Sequence, residues 1–249
     1  MKNDNSRQYR TVLITGGTRG IGKAAVYAFA NANYRVAFCY KNSDKLAQEI
    51  IIDCQKKGQF VCGYKCDLAD EKQVKELFVK TKKDFGFIDT IVNNAGVSQK
   101  KLFSDETMQS VKNCFANNFF SVVNIIKQYM PDMLSNQFGR IINISSVFAS
   151  RGASCESIYS STKGALESLT KSLALECASS NITVNAIAAG LVDTDMNKDL
   201  NNTDKQEFLK KTIIKAEIPP STIADTILFL ASDKANYLTG QIVNVNGGY

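Results

Sequence analysis

TVLITGGTRGIG, residues 11 to 22, decides how this chain folds. Its first five residues are β-branched or aliphatic, as a buried strand requires. The run breaks on Gly16 and Gly17, and Gly20, Ile21 and Gly22 then open a helix expected over Ile21–Ala32. A glycine turn between strand and helix sets bare backbone amides beside a positive helix end, where a pyrophosphate can sit. Alone, such a turn is a weak signal; directly after the first strand it is a stronger one.

Working outward, the same alternation repeats to the last residues. Strands are expected at Arg35–Tyr40, within Phe60–Asp70 and Phe87–Gly96, at Ile141–Ser145, at Ile182–Gly190 and in the final QIVNVNGG. Helices are expected over Asp44–Lys57, Glu71–Phe85, about Glu106–Leu134, about 158–178 and Ser221–Asp233. Strands alternating with helices imply an α/β fold, one parallel sheet covered on both faces, with ligands at the C-terminal ends of its strands. With 44% hydrophobic residues in 249, the expectation is a single domain over 11–249 behind a loose polar tail, residues 1–10.

Composition excludes several kinds of chemistry. There is no histidine, so His-based triads, general bases and metal sites are ruled out, and proton transfer falls to Tyr, Lys, Asp, Glu or Cys. Seven cysteines without a secretory signal read as reduced thiols in a cytoplasmic protein, and Cys62 and Cys66 as strand packing. The net charge of +6 is spread along the chain, which favours anionic ligands mildly and nucleic acid hardly at all. No apolar run approaches the ~18 residues of a membrane span.

The chemistry points to Ile141–Lys163, IINISSVFASRGASCESIYSSTK. A strand ends on Ser145 and Ser146, and Tyr159 and Lys163 share a helix face at i,i+4. A nearby ammonium favours phenolate and lowers a tyrosine pKa, so the pair can pass a proton to or from a substrate oxygen that Ser146 holds. On its own such a pair is also an ordinary amphipathic helix face. Asn94-Ala95-Gly96 closes another strand in what could be a plain turn, and Asn117-Asn118 in mid-helix invites a kink or a function. Asp67-Leu68 ends a strand where it can cap an adenine. Cys39 to Ser43 offers no carboxylate for a ribose 2′-hydroxyl, and with Arg19 and Lys41 it suits a 2′-phosphate.

Taken in order, TGGTRGIG, Asp67-Leu68, NNAG at 93–96, Asn118, Ser146, Tyr159-x-x-x-Lys163 and LTGQIVNVNGG resemble the motifs of the short-chain dehydrogenase/reductase family over Thr11–Gly248. Within it, GRIINISSV, ITVNAIA and DTDM are most similar to 3-oxoacyl-(acyl-carrier-protein) and acetoacetyl-CoA reductases. The resemblance implies a Rossmann fold with a doubly wound seven-stranded sheet in the order 3-2-1-4-5-6-7. It also implies a small helical substrate lid over about 193–217 and a homotetramer built partly by helices 106–134 and 158–178. It makes Tyr159 the acid/base, Lys163 its partner and a ribose ligand, Ser146 the holder of the substrate oxygen, and Asn118 the kink that keeps a relay water. NADPH or NADP+ would lie against Gly16, Thr18, Arg19, Gly20, Ile21, Gly22, Lys41, Asp67, Leu68, Asn94, Ala95, Gly96, Tyr159, Lys163, Gly190, Val192 and Thr194.

The implied reaction is reduction of a 3-oxoacyl thioester on acyl carrier protein or CoA. A small free ketone, sugar or polyketide-like substrate is the alternative within the class, and a cofactor-binding regulatory protein the alternative outside it. The chain departs from the family pattern at Ala189, Ser121 and Cys155–Ile158. It also carries neutral Gln137 and Ser180 where carrier-docking cations are expected, which leaves Arg140, Arg151 or Lys171 for that task.

Overall fold

Strands β1 (Thr11–Thr15), β2 (Arg35–Tyr40), β3 (Val61–Lys65), β4 (Thr90–Asn93), β5 (Gly139–Ser146), β6 (Ile182–Ala189) and β7 (Ile242–Val245) pair side by side in the order 3-2-1-4-5-6-7. Every neighbour is parallel, as the resemblance implies. The structure is a computed structural model that describes residues 9–198 and 200–249. Between the strands run α1 (Gly20–Asn31), α2 (Asp44–Lys56), α3 (Glu71–Phe85), α4 (Met108–Phe115), α5 (Ser121–Ser135), α6 (Phe148–Arg151), α7 (Ser157–Glu176), α8 (Asn202–Lys210) and α9 (Pro220–Ala231).

Alternate strand residues serve opposite faces, and β1 shows how both are filled. Val12 and Ile14 pack with Val26 and Phe29 of α1, Ile50 of α2 and Ile227 of α9. Leu13 points the other way, into a core with Leu77 of α3, Ile125 and Tyr129 of α5 and Leu166 of α7. Because both faces are covered, the strands read as continuous apolar runs, each buried Leu or Ile being worth about 1.5–3 kcal/mol. Cys39, Cys54, Cys66 and Cys177 are buried in these two cores.

Two expectations change. The helix expected over about 106–134 is split: α4 runs into a π-helical turn at Ala116–Phe120, where the Ser121 N–H reaches back to the Ala116 carbonyl, and α5 follows. The wide turn falls on Asn117 and Asn118, poor helix formers, and the Ser121 hydroxyl takes up the Asn117 carbonyl at 2.6 Å. Of the expected tail, residues 1–8 lie outside the described residues, but Arg10 is not loose. Its guanidinium pairs with Asp89 at 2.9 Å and lies 4.6 Å from the centre of the Phe138 ring. Asp89 is 1% exposed, and a carboxylate buried that deeply requires a counter-charge.

Among the described residues no helix is long and apolar enough to cross a membrane. The polar stretch after β6 carries α8, whose start is capped by Asn201 accepting from the Asp204 N–H at 2.7 Å.

Candidate active site

β1 and β4 are neighbours, so their C-terminal turns meet. The Thr15 hydroxyl accepts from the Asn94 and Ala95 N–H groups at 2.9 and 3.0 Å, and the Asn94 amide donates to the Thr15 and Gly16 carbonyls at 2.9 and 3.2 Å. The glycines make this closeness possible: Gly16 has φ +68°, and a Cβ on Gly22 would lie 2.1 Å from the Gly16 oxygen. Gly16 and Gly17 donate to the Cys39 carbonyl, so they shape the turn that leads into α1. Arg19, the residue that precedes α1, gives it no side-chain cap, and the first turn holds no acidic residue.

At the end of β2, Arg19 donates to the Ser43 hydroxyl at 3.0 Å, whereas Lys41 pairs with Asp67 at 2.6 Å. The Asp67 carboxylate also accepts from the Ala69 N–H, and the Asp67 N–H donates to Gln73. The side chain and the N–H of Asp67, expected with Leu68 to cap an adenine, are therefore both engaged within the chain. Leu68 is buried, and its carbonyl accepts from Asn124.

One strand further on, β5 delivers Ser146, whose hydroxyl accepts from the Phe148 N–H at 3.2 Å. α7 carries Tyr159 and, one turn later, Lys163. The Lys163 ammonium lies 5.7 Å from the centre of the tyrosine ring and donates to the Ile144 carbonyl at 2.7 Å. A methyl added to Gly96 would stand 3.1 Å from Asn118 Oδ1 and 3.7 Å from Lys163 Nζ, so the end of β4 lies against both. Asn118 is fully buried in the π turn. Its side chain clamps Val97, accepting from the N–H at 2.7 Å and donating to the carbonyl at 2.9 Å, and also reaches Thr162 at 3.2 Å.

Burial governs the protonation states. It pushes the Tyr159 phenol up; the Ser146 hydroxyl opposes the rise, and Glu156 and Cys114 add to it. It pushes the Lys163 ammonium down to about 8. The expectation that Lys163 lowers the phenol's pKa does not hold in the chain alone, because the ammonium faces the ring and gives a hydrogen bond to a strand carbonyl. The phenol thus keeps its proton, the form that can donate. Glu156, three residues earlier, is 9% exposed and accepts from the Ser98 hydroxyl at 3.2 Å; burial pushes its carboxyl up, with Ser98 and Lys100 opposing.

A family model described as enoyl-(acyl carrier protein) reductase matches residues 16–249. A 3-oxoacyl-(acyl-carrier-protein) reductase of Staphylococcus aureus (strain Mu50) is 36% identical over 239 residues, 96% of this chain and 97% of the relative. The chain belongs to the short-chain dehydrogenase/reductase family. Proteins of the same name from Staphylococcus epidermidis and Aquifex aeolicus are 35% and 33% identical, covering 96% and 97% of this chain and 98% and 97% of the relatives.

The short-chain dehydrogenase/reductase family implies a nicotinamide cofactor, and the residues present fit one. The glycine turn leaves room and uncapped amides for a pyrophosphate, Arg19 and Ser43 would hold the ribose end, and Gly96 opens space beside Lys163 and Asn118. Gly190 and Val192 lead away from β6: the Gly190 N–H bonds the Val245 carbonyl, and Val192 bridges to Ile218. Thr194 rests on Gly20, where an added Cβ would come within 3.1 Å of its methyl.

The expected docking positions fall elsewhere. Gln137 and Ser180 precede β5 and β6, at the end of the sheet opposite the site, and Ser180 is buried. Arg140 is fully buried as well, and Lys171 is exposed two turns along α7 from Lys163. Arg151 does stand at the site end. Thr15 and Thr162 stand outside the expected site residues, yet their hydroxyls tie the β1 and β4 turns together and meet the Asn118 amide. A hydroxyl as the last residue before the glycine turn was the available signal for Thr15.

Proposed function

We propose that this chain uses NADPH to reduce a 3-oxoacyl thioester to the 3-hydroxyacyl thioester. The observation that carries the reading is the convergence of Ser146, Tyr159 and Lys163 beside a glycine turn fit for a dinucleotide. When bound, a reduced nicotinamide supplies the hydride. Ser146 donates a hydrogen bond to the substrate carbonyl oxygen, which draws charge off the carbon to be attacked, and Tyr159 gives the same oxygen its proton. Lys163 holds the nicotinamide ribose and takes part in restoring the phenol, and Asn118 keeps the relay through its helix kink. Two hydroxyls aimed at one oxygen suit a carbonyl better than a carbon–carbon double bond, which favours the relatives' 3-oxoacyl substrate over the enoyl substrate in the family model's description.

NADPH is preferred over NADH on the strength of Arg19 and Ser43, which can give a 2′-phosphate charge-assisted hydrogen bonds with no carboxylate to repel it. The segment 193–217 acts as the substrate lid, and the chain works as a homotetramer. The test is kcat/KM for one 3-oxoacyl group on CoA and on acyl carrier protein, at low and high salt, with NADPH and with NADH. Turnover of both thioesters, faster with NADPH, supports the reading. Turnover confined to a free ketone would replace the substrate class.

A further inference from the structure

Two walls of different chemistry flank Ser146 and Tyr159. β4 and β6 lie on either side of β5, so the segments that follow them reach the site from opposite sides. The segment after β4 brings Ser98 to Glu156 and is joined to the 155–156 turn by the Lys101 N–H on the Cys155 carbonyl at 2.7 Å. That wall offers polar groups. The segment after β6 brings the lid, and from α8 the ring of Phe208.

Phe208 stacks on Tyr249 with ring centres 4.3 Å apart and planes 6° from parallel. Phe148 meets both rings edge-on, at 6.1 and 6.4 Å. The Arg151 guanidinium lies 4.9 Å from the centre of the Tyr249 ring. The cluster begins next to the chemistry, since the Phe148 N–H is the group that bonds the Ser146 hydroxyl. Backbone bonds tie the segment that follows α8 to the one that ends in Tyr249: the Ile213 and Ile214 N–H groups both donate to the Gly247 carbonyl, at 2.8 and 2.9 Å. On the far side, Lys100 pairs with Asp204 of α8 at 3.6 Å, so the lid is fastened to the wall that follows β4.

We propose that Phe148, Phe208 and Tyr249 form the wall against which the acyl tail of the substrate lies, and that this wall restricts the tail to a few carbons. The inference rests on the 3-oxoacyl thioester reading and deepens it. With the reacting carbonyl held by Ser146 and Tyr159, the two arms of the substrate leave in opposite directions. The amide-bearing thioester arm finds partners at Ser98, Glu156 and Lys100, and the hydrocarbon arm is left the three rings. A short tail packs on their edges, but a long one has to part Phe208 from Tyr249 and lift α8.

The experiment compares kcat/KM for acetoacetyl-CoA and 3-oxododecanoyl-CoA with NADPH in the unmodified protein, Phe208→Ala and Phe208→Leu, with NADPH affinity measured by fluorescence. The unmodified protein is expected to favour the short substrate, and Phe208→Ala to move the ratio toward the long one by roughly tenfold or more, Phe208→Leu by less. NADPH affinity stays constant. If Phe208→Ala does not fold, Phe208→Leu and Tyr249→Leu carry the same comparison. Equal loss on both substrates would overturn the proposal, making the rings a latch with no say in tail length. Efficient use of the long substrate by the unmodified protein would overturn it too. No turnover of either thioester would sink the 3-oxoacyl reading itself, and the wall with it.

Discussion

On the β1–β4 side of the cleft, the turns that face the cofactor are locked to one another by main-chain groups and by two short side chains, Thr15 and Asn94. On the β5–β7 side, the wall proposed for the substrate is joined by side chains from segments distant in sequence, Phe148, Phe208 and Tyr249, and the Lys100–Asp204 pair ties α8 to the segment after β4. The first arrangement depends on backbone geometry that few residue types allow, and so it writes itself as a motif. The second is satisfied by many combinations of residues, and so it leaves none.

The sharpest way to separate the two sides is Tyr159→Phe, which removes the proton donor and leaves the glycine turn intact. Catalysis should fall by roughly 10²–10⁴-fold with NADPH binding unchanged. A matching loss of NADPH affinity would mean that the two regions are not independent. Arg19→Ala strikes the other side: the preference for NADPH over NADH, taken as a ratio of kcat/KM values, should drop roughly ten- to a hundredfold. Lys41→Ala should cost less than Arg19→Ala, because Asp67 already shares the Lys41 charge. An equal or larger effect at Lys41 would reverse that assignment.

A smaller effect comes from Lys163, which stands where the two regions meet. Burial pushes its ammonium down from the ordinary lysine value of 10.5 to about 8 in the folded chain. Between those values the unfolded chain binds more protons, so stability rises with pH through this window in the cofactor-free protein. Lys163→Met removes the dependence. Urea unfolding should show the unmodified protein gaining roughly 2 kcal/mol on the variant between pH 8 and pH 10. Above pH 10 the raised phenol pKa of Tyr159 works in the opposite sense, since the folded chain then holds the proton longer. A flat difference across the window would show that Lys163 is solvated or paired.

Much of this was legible in the sequence. The alternation of apolar runs with helical stretches, and the glycine turn after the first of them, required a parallel sheet, and the strand order followed from the resemblance. Ser146, Tyr159, Lys163 and Asn118 were visible as spaced motifs, and they lie together. The protonation balance was not visible, because an i,i+4 pair announces proximity and says nothing of burial, which here outweighs the charge. Nor was the engagement of Asp67 with Lys41, or the placement of Gln137 and Ser180 at the far end of the sheet: both depend on where segments meet in space. Arg10 reads as tail in the sequence because its partner, Asp89, is far away in the chain and nothing in the sequence marks their contact.

The most direct test of the central claim, that Ser146 and Tyr159 serve a carbonyl oxygen, is to offer acetoacetyl-CoA and crotonyl-CoA with NADPH and identify the products by mass spectrometry, with Tyr159→Phe alongside. Formation of 3-hydroxybutyryl-CoA from the first, no butyryl-CoA from the second, and loss of the first product in the variant are the predicted results. Reduction of crotonyl-CoA in place of acetoacetyl-CoA, or undiminished 3-hydroxybutyryl-CoA from Tyr159→Phe, would contradict it.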